Sequence, residues 1–183
     1  MNQLVRATRP ASVTTLIAAL DRNALVKKAQ RVSWLLDPTW VRPPPDELCE
    51  AITSAEVIVA DPRFAALARD LKLLLAPPTA QQINHEVLQL LLCFRTRSRN
   101  DEDEAEFVEI AVEDIADIEA LSILSLIVGC RELRREAKFP PSIAEILSAI
   151  RCAFGHDMRA DAVVRLPERL EKAKQRLAIA RNQ

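Results

Sequence analysis

Residues 118 to 147 constrain the fold more than any other stretch of this chain. From Ile118 to Cys130 the sequence is apolar on nearly every side, a pattern that a helix tolerates only when neighbours surround it. From Arg131 the pattern turns one-sided. Leu126, Cys130, Leu133 and Ala137 share one stripe, and Arg131, Arg134, Arg135 and Lys138 lie beside it at helical spacing. Pro140 and Pro141 lack amide hydrogens and push the residue before them away from helical angles, so the helix is expected to stop near Lys138. Ser142 offers a capping oxygen and Glu145 stands where a capping box closes, which starts a new helix at Ile143. The expectation is a buried central helix over 118–138, with Phe139, Pro140, Pro141, Ser142 and Glu145 forming a structural junction at its end. In that reading Phe139 is buried, and truncating it to alanine unfolds the protein.

Composition narrows the class. Gly129 and Gly155 are the only glycines in 183 residues, too few for the hairpins and phosphate loops of sheet-containing folds. With 49% apolar residues the chain can bury a core without metals or disulfides. The fold class expected is all-α: a compact bundle of six to eight helices around the central one. Cys49, Cys93, Cys130 and Cys152 are widely spaced and fall on predicted apolar faces, which reads as reduced, buried core thiols of a cytoplasmic protein. No apolar run approaches the length of a membrane span, and no signal core precedes Pro10.

Proline and capping signals punctuate the rest. Residues 1–11 read as a flexible arm. Ser12 opens a helix to about Leu36, ended by Asp37-Pro38, with Trp34 and Trp40 pinning that end to the body. Pro43-Pro44-Pro45 is a spacer before a helix from about Asp46 to Ala60. Asp61-Pro62 starts another, and Thr79 with Gln82 makes a capping box for a helix reaching about Phe94. Residues 96–102 read as a loop. Phe107, Ile110, Ala111 and Ile115 then space as one helix face, with a break at Asp117. Gly155 suits the C-terminal cap of the helix begun at Ile143. The domain reading is a single helical domain over 12–155, followed by a charged tail, 156–183, in which Pro167 heads a frayed helix.

Charge is unevenly spread, although the net charge is only −1. Residues 101–119 carry ten acids and no base, while bases dominate 1–31 and 151–183. Such segregation either steers an oppositely charged partner or is absorbed by pairing within the chain. Chemistry finds little support. His85 and His156 lack ligand neighbours at metal-binding spacing, and no phosphate loop or dinucleotide fingerprint is present. No catalytic residue, cofactor or metal is expected, and the chain reads as a non-enzyme. Arg131, Arg134, Arg135 and Lys138 could touch nucleic-acid phosphates weakly and without sequence preference. With no tyrosine and few aromatics, the sequence offers no stacking platform for single strands.

The run from Cys130 through Arg134-Arg135-Glu136-Ala137-Lys138-Phe139-Pro140-Pro141-Ser142-Ile143-Ala144-Glu145-Ile146 resembles an element of small phage and prophage proteins, namely the end of the helical domain in replicative-helicase loaders and inhibitors. The resemblance covers residues 79–150. It implies a non-catalytic, phage-derived adaptor that docks on a hexameric replicative helicase through its C-terminal part. Arg165, Arg169, Lys172, Lys174 and Arg176 of the tail are then the partner-binding residues, together with the basic end of the central helix. The alternative is a helical scaffold or oligomerisation module unrelated to replication, since an all-round apolar helix is also compatible with burial in a homo-oligomer.

Overall fold

Side-chain oxygens decide where most helices begin. The computed structural model describes residues 12–39, 43–94 and 101–181. In it Ser12 accepts from the Thr15 amide, opening α1 (Val13–Arg22). Asn23 then accepts from the amides of Leu25 and Val26 and opens α2 (Ala24–Leu36). The helix expected over 12–36 is therefore two, because an extended Asn23 caps the second more favourably than it continues the first. Next come α3 (Pro45–Val59) and α4 (Pro62–Leu74). The Thr79–Gln82 capping box opens α5 (Ala80–Leu92), and α6 (Asp101–Ala116) carries the acidic block. Ser122 and Ser125 cap α7 (Ile123–Glu136), and the Ser142–Glu145 box starts α8 (Ile143–Cys152) as expected. Two more follow, α9 (Phe154–Val164) and α10 (Leu166–Arg181). The fold is all-α, with ten helices among the described residues where six to eight were expected.

The chain divides into two compact units, one of Met1–Leu71 with Ala162–Gln183 and one of Lys72–Asp161. This replaces the single domain expected over 12–155. In the first unit α2 packs on α1 and α3, and α10 lies on both α2 and α3. Leu166, Leu170 and Ala173 of α10 are buried. The C-terminal segment is thus a structural wall of this unit and not the loose tail expected. Its apolar stripe was legible only as a few leucines, and the bases around it suggested a free end. Trp34 is 43% exposed, so it does not pin the end of α2 as expected. Trp40 lies outside the described residues, as do the arm 1–11 and residues 96–100 of the loop expected over 96–102; α6 already begins at Asp101.

In the second unit α7 packs on α5 and α8, and α6 on α5 and α8. Val87, Leu90, Ala111, Ile115, Leu126, Cys130, Ile146 and Ile150 form its centre. The central helix is real but belongs to this unit, and it is shorter than the 118–138 expected. It starts only after a turn in which Ala120 takes φ 57 and the Ile123 amide donates to the Ala76 carbonyl at 3.0 Å. It ends at Glu136 because Ala137 is already extended. Gly129 marks the crossing of α7 and α8: a β-carbon there would stand 2.7 Å from the backbone of Ile150. Gly155 lies inside α9 instead of capping α8, whose C-cap is Ala153. Of the four thiols, Cys130 alone is buried; Cys93 and Cys152 are exposed, against expectation.

Candidate docking groove

The basic residues singled out in the sequence do not converge on one site. In the first unit those of α10 are largely spent on the unit itself. Arg169 donates to the Ser33 hydroxyl at 2.7 Å and pairs with Asp37 at 2.9 Å. Arg176 donates to the Leu36 carbonyl. Both guanidinium groups thereby sit at the C-terminal end of α2, where the helix dipole favours cations. Hydrogen bonding from the Thr39 hydroxyl, with the charges of Arg169 and Arg176 adding to it, holds the Asp37 carboxyl below its usual range. Lys174 pairs with Glu56 and Glu171, Lys172 pairs with Glu168, and Arg165 is exposed at the start of α10.

In the second unit Arg134 pairs with Glu86 at 3.5 Å across α7 and α5, and Arg131 is half-buried. Arg135 and Lys138 are exposed. Phe139, expected to be buried at the junction, is 64% exposed; Pro141 is the buried member of the turn. The capping box of Ser142 and Glu145 suffices to start α8, so the phenylalanine is left at the surface. Arg134, Lys138, Phe139 and Pro140 line a small cleft with Cys93 and Phe94.

The more extensive surface feature of this unit was missed by sequence reasoning. A groove of about 880 Å³ runs between α5 and α6. Leu88 of α5 and Ala105, Val108 and Val112 of α6 give it an apolar floor, and Glu104, Glu109 and Glu113 line it on α6. Among the described residues that line it there is no lysine or arginine. The face of α6 turned to the core is Val108, Ala111 and Ile115; Ile110, expected on that face, is 43% exposed. Beside the single apolar face expected, α6 thus has a narrower apolar stripe on its groove side, where only acids were expected. The spacing of Ala105, Val108 and Val112 was the available signal. The ion pairs of Arg169, Lys172 and Lys174 are made with Asp37, Glu168, Glu56 and Glu171, which lie outside the acidic block 101–119.

The chain matches no family model, no curated protein and no solved structure. Among the described residues no group of His, Cys, Asp or Glu could hold a metal ion. Burial, with the charge of Glu86 adding to it, pushes the Cys130 thiol up to about 12, which leaves it protonated and unreactive. One buried polar cluster stands apart. The Ser122 hydroxyl donates to Asp157 at 2.7 Å beneath the first turn of α7, and Ser125 lies against Ser122 at 3.1 Å. Burial raises the Asp157 carboxyl above its ordinary value, against the opposing effect of the two serines. This cluster fastens α9 to α7 by hydrogen bonding. No helix among the described residues is long and apolar enough to cross a membrane.

Proposed function

We propose that this protein is a non-catalytic helical interaction module whose groove between α5 and α6 receives a basic, apolar-anchored segment of a protein partner. One observation carries the reading: among the described residues, an apolar floor of Leu88, Val108 and Val112 is edged by charges of a single sign, above all those of the exposed Glu109 and Glu113. An apolar strip supplies affinity for the matching face of a helix or extended segment. A rim of one sign selects cationic segments, speeds encounter and rejects acidic ones. The same charges disfavour nucleic acid at this face.

The groove falls inside residues 79–150, the stretch that resembles helicase loaders, so a hexameric replicative helicase is the first partner to test. Phage origin and action in the cytoplasm belong to that reading. The groove takes over the docking role first assigned to the basic tail, since Arg169, Lys174 and Arg176 are engaged within their own unit.

Fluorescence anisotropy of a labelled basic amphipathic peptide tests the groove directly. Binding is expected to weaken with salt and to be lost in Glu109→Lys/Glu113→Lys, two exposed positions where charge reversal leaves the fold intact. Co-elution with the host's replicative helicase, lost in the same variant, would fix the partner. Peptide binding indifferent to the double reversal would refute the proposal.

A further inference from the structure

We infer that the segment filling the groove is supplied by a second copy of this chain, namely the basic end of α7 tipped by Phe139. This rests on the groove being a docking site, and it names the occupant. Phe139 is 64% exposed on a bend that the buried Pro141 and the capped start of α8 hold in place. An aromatic ring of that exposure on a fixed turn is an anchor that needs no ordering before it binds. Arg135 and Lys138, both exposed, precede it. The α7 end therefore presents an apolar tip preceded in the chain by two exposed cations, and the groove presents an apolar floor edged by Glu109 and Glu113. The signs match, and 880 Å³ leaves room for one aromatic ring with the ends of two basic side chains.

Tip and groove both lie within Lys72–Asp161, so each copy carries one of each on the same folded unit. They are different patches, which makes the contact heterologous. Two copies close into a pair when each tip reaches the other's groove; otherwise the association continues from copy to copy.

Light scattering on the full chain, with two complementary variants, tests this. Glu109→Lys/Glu113→Lys damages the groove and spares the tip, while Lys138→Glu/Phe139→Ala damages the tip and spares the groove. The natural chain is expected to associate with rising concentration, and its apparent Kd to weaken about tenfold or more from low to high salt. Each variant alone should be monomeric with an unchanged thermal transition. Mixed in equal amounts, the two should recover a complex, because an intact groove then meets an intact tip and the exchanged charges attract as well. A natural chain that stays monomeric, a variant that still associates, or a mixture that does not would each overturn the inference. Anisotropy of the basic peptide separates the two levels. A monomeric natural chain that binds the peptide keeps the groove as a docking site for another protein. One that binds nothing removes the docking reading as well.

Discussion

Replacing Gly129 by alanine probes the packing that builds the second unit. The added β-carbon would lie 2.7 Å from both Cα and N of Ile150 and 2.9 Å from the carbonyl carbon of Ala149, where ordinary contact begins near 3.4 Å. All three atoms are backbone, so no rotamer change relieves the clash and α7 must move away from α8 by roughly 0.5–1 Å in a core packed at crystal-like density. That movement loosens Leu126, Cys130, Ile146 and Ile150 together, all of them fully buried. Overpacking of this kind costs ~1–3 kcal/mol, or more where the obstacle cannot yield. The helix gains ~1 kcal/mol when alanine replaces glycine. The net expectation is a loss of up to ~2 kcal/mol, or ~1–3 kcal/mol relative to a glycine-to-alanine change with no clash, which for a unit of this size lowers the midpoint by about 4–8 °C per kcal/mol. Gly155→Ala is the control. Nothing lies within 4 Å of a β-carbon at that helical position, so the substitution should be neutral or stabilising by up to ~1 kcal/mol. Thermal and urea unfolding of both variants decide the matter. If Gly129→Ala proved as stable as Gly155→Ala, the close approach of α7 to α8 would be wrong.

Three further perturbations separate structure from surface. Leu170→Ala should cost ~2–5 kcal/mol, and deletion of residues 166–183 should abolish the unfolding transition of the first unit, because α10 is a wall of its core. Retention of that transition in the deletion would restore the tail to a free appendage. Phe139→Ala should leave stability within ~0.5 kcal/mol, since the ring is mostly in solvent; a cooperative loss of helicity on circular dichroism would show that the ring is structural after all. Asp157→Asn keeps an oxygen to accept from Ser122 and removes a charge that burial disfavours. A carboxyl whose folded pKa is raised destabilises the fold once ionised, and the penalty disappears as pH falls through the raised value towards the unfolded one. The variant should therefore melt higher than the natural chain at neutral pH and equally at acid pH. A gap that widens on acidification would contradict the assignment.

Local signals carried most of the fold. The capping boxes at Thr79 and Ser142, the Asp61-Pro62 start and the break near Asp117 involve residues within four positions of each other, and each stands where the pattern placed it. What depended on distant residues did not emerge. The split at Asn23 follows from a cap that competes with helix continuation, and the two-unit division from α10 returning to α2 and α3. The charged surface of α10 conceals the leucines it buries, and two of its arginines find their partners more than a hundred residues earlier, at Ser33 and Leu36. Phe139 was misplaced because an aromatic beside two prolines suggests burial, whereas the capping box alone secures the turn. The groove between α5 and α6 was hidden for the opposite reason. Its floor is shared by α5 and α6, and on either helix alone its apolar residues are too few to stand out from the acids around them.

Hydrogen–deuterium exchange of the full chain, at a dilution where it is monomeric and with and without a saturating basic amphipathic peptide, tests the central claim most directly. New protection is expected along residues 80–88 of α5 and 104–113 of α6, the two walls of the groove, with α10 unchanged. Protection concentrated on α10 or at the α7–α8 turn, with α5 and α6 unaffected, would contradict the assignment of the groove as the docking surface.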